Sequence, residues 1–96
     1  MADMMHPQSI EILKALADVM RLSVVRYLAK QPGVIPSCNV VRSCASLMEL
    51  SQPTMSHHLK KLVEAGVLVL EKRKTENFYT VNRSLCREVG IDIDKL

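Results

Sequence analysis

Residues 51–66 of the 96-residue chain, SQPTMSHHLKKLVEAG, carry the signals of a short helix that begins and ends within the stretch. Ser51 is a residue type that caps the start of a helix, and Pro53 suits the first turn, where a missing N–H costs no hydrogen bond. Gly66 suits the left-handed position that ends many helices, because it has no Cβ. The stretch therefore predicts a helix over residues 52–65.

This helix has one apolar face and one polar face. Met55, Leu59 and Leu62 recur four and three residues apart, which predicts that they point into the core. The N-terminal end of the opposite face carries Gln52, and the rest of that face is polar or charged. Its other members are Thr54, His57, Lys60, Lys61 and Glu64.

Three more helices are predicted before this one. The first, over residues 8–17, rests on apolar residues at helical spacing, namely Ile10, Leu13, Leu16 and Ala17. Asp18 is predicted to cap a second helix, VMRLSVVRYLAK, at residues 19–30. The prolines and glycine of QPGVIP (31–36) break it, and a third helix follows over about 38–49.

The period changes after Gly66. VLVLEK (67–72) and NFYTV (77–81) are rich in β-branched and aromatic residues and flank a polar stretch, which predicts a β-hairpin over 67–81. The tail from residue 83 holds at most one short helical turn. The predicted fold is mainly α with a β-hairpin, a winged helix-turn-helix in the order α-α-α-α-β-β with a short or absent C-terminal helix. It forms a single domain over residues 1–96.

Composition and charge narrow the range of partners. Hydrophobic residues make up 48% of the chain, and the net charge of +3 lies within residues 52–83. A clustered basic excess on a small domain indicates a polyanion partner. The chain has no run of about 20 apolar residues and no signal-peptide pattern, so a cytoplasmic location and no membrane contact are expected.

The helix over 52–65 has the chemistry of a recognition helix for double-stranded DNA. In a helix-turn-helix, the N-terminal end of that helix enters the major groove, where Gln and His side chains contact base edges. Ser51 and Ser56 suit a phosphate at the positive end of the helix dipole. The residues predicted to read or position DNA are Gln52, Thr54, Ser56 and His57, with Ser51, and those predicted to supply charge are Lys60, Lys61, Lys72, Arg73 and Lys74.

Other functions have weaker support. His57 and His58 point about 100° apart on a helix, so they do not chelate one metal ion together. Ser56 beside His57 is no catalytic pair, because nucleophile and base must converge and need an orienting third group. We therefore expect no catalytic residue and no enzyme activity. A protein-interaction module without sequence-specific DNA binding remains an alternative, and His58 is predicted to tie the helix to the domain.

Four stretches together resemble the ArsR/SmtB family of bacterial winged-helix repressors. They are LKALAD (13–18), Arg21 with Leu22, LSQPTMSHHLKKLVEAGVL (50–68) and FYTV (78–81). The resemblance implies a cytosolic homodimer that represses transcription from a palindromic operator. It also implies that an inducer, in many members a metal ion or metalloid, releases the DNA.

The chain departs from this family at the sensing and dimerisation elements. The family's Cys-x-Cys positions fall on Val40 and Arg42, and no histidine follows Cys86, so neither usual metal site is expected and no cofactor is assigned. The resemblance implies dimerisation through the first and last helices, of which only the first is substantial here. A larger share of the contact is therefore expected on the first helix and the residues before it, at Met4, Met5, Ile10 and Leu13.

The three cysteines leave two sensing hypotheses open. Cys44 most simply fills a core position as a small apolar side chain. Cys38 lies in the first turn of a helix, where the dipole favours a thiolate, so a redox response that joins it to Cys86 of either chain is one hypothesis. A metalloid inducer bound by all three thiols is the other.

Overall fold

The computed structural model of the chain describes residues 6–31 and 33–96, apart from the side chains of residues 45, 47 and 48. The described residues form five α-helices: α1 (Ser9–Leu16), α2 (Val19–Ala29), α3 (Ser37–Met48), α4 (Gln52–Ala65) and α5 (Arg83–Glu88). They also form one antiparallel sheet, in the order β1-β3-β2, from β1 (Ile35–Pro36), β2 (Leu68–Arg73) and β3 (Glu76–Val81). A 3-10 turn at Ile93–Lys95 follows α5.

The predicted winged helix-turn-helix is confirmed, and the helix ends follow from local chemistry. Asp18 precedes α2, and its Oδ1 accepts a hydrogen bond from the Arg21 amide at 3.0 Å. Ser51 precedes α4, and its Oγ accepts one from the Thr54 amide at 3.2 Å. Gly66 ends α4 with a φ of 90°, a conformation that costs a residue with a Cβ about 1–2 kcal/mol.

Strand β1 was not predicted. It pairs with β3, with Ile35 opposite Tyr79 and Pro36 opposite Phe78. The prolines and glycine of residues 31–36 predict only a break after α2. Proline is tolerated in an edge strand, where its missing N–H leaves no ladder hydrogen bond unmade. The middle of β3 is therefore attached to the segment just before α3.

The core forms around α4. Met55, Leu59 and Leu62 are fully buried, as their spacing predicts, and α1 contributes Ile12 to the same cluster. Complete burial of a Leu or Met side chain contributes about 1.5–3 kcal/mol to folding. The apolar face of α4 therefore holds the helix in place and leaves the opposite face to solvent.

The helix predicted over 8–17 is present, but it carries apolar residues on two faces. The buried side contains Ile12, Ala15 and Leu16. Ile10 and Leu13 lie on the other side with 46% and 53% of their surface exposed. Periodicity alone does not tell which apolar face meets the core. The predictions for Met4 and Met5 lie outside the described residues.

The tail packs beside α2. The short helical turn predicted before Gly90 is confirmed as α5, which buries Cys86. Ile93 is also buried, and the 3-10 turn contacts α2. Arg83 fastens this segment, since it donates hydrogen bonds to the Ala29 carbonyl at 2.9 Å and to Asp94 at 3.0 Å.

Candidate nucleic-acid interface

The polar face of α4 is open to solvent along its whole length. The six residues on α4 that were predicted to contact DNA are all exposed: Gln52, Thr54, Ser56, His57, Lys60 and Lys61. The same helix buries its apolar side in the core. The exposed side chains therefore project from a rigid element, which is the arrangement that recognition of base edges requires.

The cap of α4 involves Ser51 and a first-turn N–H, both of which the sequence predicts to contact a phosphate. The Ser51 hydroxyl accepts from the Thr54 amide and donates to Thr54 Oγ1 at 2.8 Å. One of the first backbone N–H groups of α4 is therefore already bonded within the protein. Ser51 and Thr54 remain exposed, so their hydroxyls stay accessible at the helix terminus.

The two neighbouring histidines have different surroundings. His57 is exposed, whereas His58 is half-buried, and its Nδ1 lies 3.5 Å from Nη1 of Arg21 on α2. Their ring centres are 6.2 Å apart and the planes are tilted by 58°. This geometry agrees with the prediction that His58 ties α4 to the rest of the domain. The partner residue, Arg21, was not identified from spacing, because it is 37 positions away.

The hairpin carries its cations at the tip of the wing. Lys72 and Arg73 end β2, and Lys74 starts the two-residue turn with a φ of 58°. Arg73, which is predicted to supply charge to DNA, has partners within the wing, because its Nε contacts the Glu71 carboxylate and its guanidinium lies 4.9 Å above the Phe78 ring. Cation–π stacking and an ion pair both hold that side chain along the wing. Lys72 and Lys74 remain as the exposed lysines of this tip.

An open groove of about 560 Å³ separates α4 from the wing. Its walls come from the starts of α3 and α4 and from the hairpin turn. The lining residues are Ser37, Cys38, Val41, Gln52, Pro53, Ser56, Thr75, Glu76 and Asn77. Ser37, Thr75 and Asn77 were not among the predicted site residues. Nothing in the sequence near these residues indicates a shared site, because the groove forms only when the fold brings three separate segments together.

The cysteines differ in accessibility. Cys38 is an exposed free thiol at the groove, with its Sγ 3.6 Å from Asn39 Oδ1. Cys44 and Cys86 are fully buried free thiols. Burial raises the pKa of Cys44 to about 11 and also raises the pKa of Cys86, so both are protonated at neutral pH. Because the thiolate is the reactive form, both buried thiols are expected to react more slowly than an exposed cysteine.

The described part of the chain contains neither a cluster of metal-binding side chains nor a helix that could span a membrane. Within residues 6–31 and 33–96, no three His, Cys, Asp or Glu side chains converge as a metal site requires, so the three thiols do not meet within one chain. In the same ranges, no helix has the length and hydrophobicity needed to cross a lipid bilayer.

The chain is similar to known helix-turn-helix regulators. A family model described as a helix-turn-helix domain matches residues 4–71. An uncharacterised HTH-type transcriptional regulator from Methanocaldococcus jannaschii is 32% identical over 95% of this chain and 97% of its own length. The arsenical resistance operon repressor of Staphylococcus xylosus is 31% identical over 86% of this chain and 74% of its own length.

Two solved structures share the fold. HlyU from Vibrio cholerae is 28% identical, with a TM-score of 0.67 over 92% of this chain and 86% of its own. A homodimeric winged helix-turn-helix DNA-binding domain from Mycobacterium bovis is 24% identical, with a TM-score of 0.62 over 92% of this chain and 69% of its own. With its fold, its SQPTMSHHLKKL helix and these relatives, the chain belongs to the ArsR family of winged helix-turn-helix transcriptional regulators.

Proposed function

We propose that this protein is a homodimeric repressor that binds a palindromic operator in double-stranded DNA through α4 and the wing. The observation that carries the proposal is that α4 buries its apolar face and exposes a polar, cationic one beside the groove and the wing. A protein-docking face would be apolar at these positions. The repressor name of the Staphylococcus relative supports the same function.

Each residue group has a distinct role in the proposed complex. Gln52, Thr54, Ser56 and His57 lie at the end of α4 that enters the major groove, where base edges are read. Four exposed lysines on α4 and the wing tip neutralise phosphates. Arg73 is not counted with them, because its guanidinium is held by Glu71 and Phe78. The four are Lys60, Lys61, Lys72 and Lys74. Four phosphate contacts predict a slope of about −3.6 per subunit for log K against log salt.

The exposed side of α1 supplies the proposed dimer contact. Ile10 and Leu13 are large apolar residues that the subunit leaves in solvent, as is Val19 at the start of α2. Covering them in a second copy is favourable by about 25 cal/mol for each Å² of apolar surface removed from water. The homodimeric state of the M. bovis domain supports this assembly. Helix-turn-helix dimers place their recognition helices about 34–36 Å apart.

Replacing His57 by alanine tests base recognition. We expect the variant to lose about 1–2 kcal/mol of operator binding and little of its binding to random duplex, because base contacts carry sequence preference. The operator is first obtained by selecting bound fragments from genomic DNA. Affinities for operator and random duplex are then measured by fluorescence anisotropy. Equal losses on both duplexes would contradict the role of His57.

Replacing Lys74 by glycine tests the phosphate contact at the wing tip. We expect weaker binding to operator and random duplex alike, with a salt slope less negative by about 0.9 per subunit. The free energy of unfolding should rise by about 0.5–1 kcal/mol, because glycine accepts the positive φ of this position. A rise in stability excludes misfolding as the reason for weaker binding. Unchanged salt dependence would remove Lys74 from the interface.

The proposal for sensing concerns Cys38 alone. The two positions that hold the family's Cys-x-Cys are a buried valine, Val40, and an exposed arginine, Arg42, which do not fit a thiolate metal site. Cys38 is exposed at the groove between α4 and the wing, where an added group obstructs DNA. A disulfide with Cys86 requires α5 to open first, because Cys86 is fully buried.

Alkylation with N-ethylmaleimide tests this thiol. We expect mass spectrometry to show modification of Cys38 before Cys44 and Cys86, and operator affinity to fall about tenfold, which corresponds to about 1.4 kcal/mol. Cys38→Ser should bind the operator normally and resist the reagent. An alkylated Cys38 with unchanged affinity, or faster modification of a buried thiol, would contradict the expectation. Mild peroxide in place of the maleimide then tests whether the response is oxidative.

A further inference from the structure

Arg21 connects three helices with one guanidinium group. It lies in the first turn of α2, and only 19% of its side chain is exposed. Its Nε donates to the Ala15 carbonyl at 2.7 Å, and its Nη2 lies 3.5 Å from the Lys14 carbonyl, both at the end of α1. Its Nη1 lies 3.5 Å from Nδ1 of His58 on α4. One side chain therefore joins α2, the end of α1 and the recognition helix.

The position of Arg21 is itself fixed. Its backbone amide is bonded to the Asp18 carboxylate, and this hydrogen bond holds the pKa of Asp18 below its usual value. Asp18 Oδ2 also lies 4.0 Å from Arg21 Nη2. The ionised carboxylate at the corner between α1 and α2 thus restrains both ends of the arginine. A lysine carries its three donors on a single nitrogen, so it lacks the planar fork with which the guanidinium reaches α1 and α4 from separate nitrogens.

Helices α1 and α4 pack against each other along their apolar sides only, and their charged sides are not in contact with each other. Their apolar sides meet in the core, where Ile12 and Leu62 are fully buried. Their charged edges diverge around an open depression of about 290 Å³. Interdigitated apolar side chains restrict the crossing angle of two helices to a range of about ±15–20°, and directional hydrogen bonds on the open edge restrict it further. Arg21 lines this depression and connects the diverging edge through directional hydrogen bonds.

We propose that Arg21 is a positioning residue for operator recognition, which sets the angle of α4 relative to α1 by binding His58. The proposal rests on the function proposed above. In a dimer formed through Ile10 and Leu13, α1 lies at the interface and α4 lies on the DNA. The angle between these helices then sets the separation of the two recognition helices. Arg21 and His58 thereby determine how strictly the protein requires one half-site spacing.

The experiment compares operators whose half-sites are correctly spaced with operators that have one extra base pair between the half-sites. An extra pair shifts one half-site by about 3.4 Å and rotates it around the duplex axis. We expect the wild-type protein to bind the lengthened operator about tenfold more weakly or worse. Arg21→Gln and His58→Leu should reduce this difference to about twofold or less, mainly by weakening binding to the correct spacing.

The controls separate positioning from charge and from folding. Arg26→Gln removes the same charge from the exposed side of α2 and should keep the spacing preference of the wild type. His58→Gln keeps a neutral acceptor for Arg21 and should restore the preference that His58→Leu loses. Combining Arg21→Gln with His58→Leu should add little to either change, because both remove one interaction. If Arg21→Gln does not fold, Arg21→Lys and His58→Leu are used in its place, because both keep a donor for the Ala15 carbonyl.

The outcomes distinguish this proposal from the one on which it rests. Wild-type protein that binds no duplex overturns the proposed function, and with it the role of Arg21. Wild-type protein that binds its operator while Arg21→Lys and His58→Leu both keep the full spacing preference overturns the positioning role alone. The positioning role is also overturned if Arg26→Gln loses as much of the spacing preference as Arg21→Gln does.

Discussion

Exchanging Lys60 and Lys61 together for glutamate is expected to abolish operator binding without unfolding the protein. The pair lies on the exposed face of α4, a turn beyond the residues proposed to contact bases. A dimer loses four phosphate contacts, which are worth roughly a thousandfold in affinity at 0.1 M salt. The acidic groups add repulsion from the phosphates. The residual salt slope should be half that of the wild type or less.

The matched control moves the same charge change to another surface. Lys30 and Lys95 are exposed beside the contact of α2 with the 3-10 turn, and neither lines the groove near α4. Their exchange for glutamate should lower affinity far less, through the general field only. Circular dichroism should show both double variants folded, with free energies of unfolding within about 1 kcal/mol of the wild type. Equal losses of affinity would show that net charge, and not this face, governs binding.

Leu59→Ala is expected to have the largest effect on folding. The side chain is fully buried on the apolar face of α4, among residues from α1, α2 and β2. Its truncation should lower the free energy of unfolding by about 3 kcal/mol, from lost burial and from the cavity that remains. The expected fall in melting temperature is roughly 12–24 °C for a domain of this size. Thermal unfolding followed by circular dichroism measures it.

The same chemical change on α1 provides the comparison. Leu13→Ala removes an exposed side chain, so the free energy of unfolding of the subunit should change by less than about 0.5 kcal/mol. Because Leu13 belongs to the proposed dimer contact, sedimentation should instead show weaker dimerisation. A loss of stability from Leu13→Ala as large as that from Leu59→Ala would contradict the exposed position of Leu13 on α1.

The parts of the fold that local chemistry determines were predictable from sequence. The start and end of α4 follow from Ser51 and Gly66, because a cap depends on residues only a few positions away. The buried stripe of Met55, Leu59 and Leu62 follows from helical spacing. The hairpin follows from two β-rich runs around a polar turn. Each of these signals lies within one element.

The parts that depend on distant residues were not predictable. Strand β1 has only two residues and exists because β3 lies beside it, although Tyr79 is 44 positions after Ile35 and Phe78 is 42 positions after Pro36. The orientation of α1 depends on which of its two apolar faces α4 covers. The pairing of Arg73 with Glu71 and Phe78 depends on the register of the hairpin. The groove joins α3, α4 and the wing, so it has no local signal at all.

The two outer edges of the small sheet bear on how the protein behaves when it is concentrated. Pro36 on β1 offers no N–H to an incoming strand, and consecutive charged residues at 71–73 end β2 on the other edge. Such edges discourage the strand-to-strand stacking that begins amorphous or fibrous deposits. We therefore expect crowded copies of this chain along a chromosome to stay dispersed, with contact between copies left to helix faces.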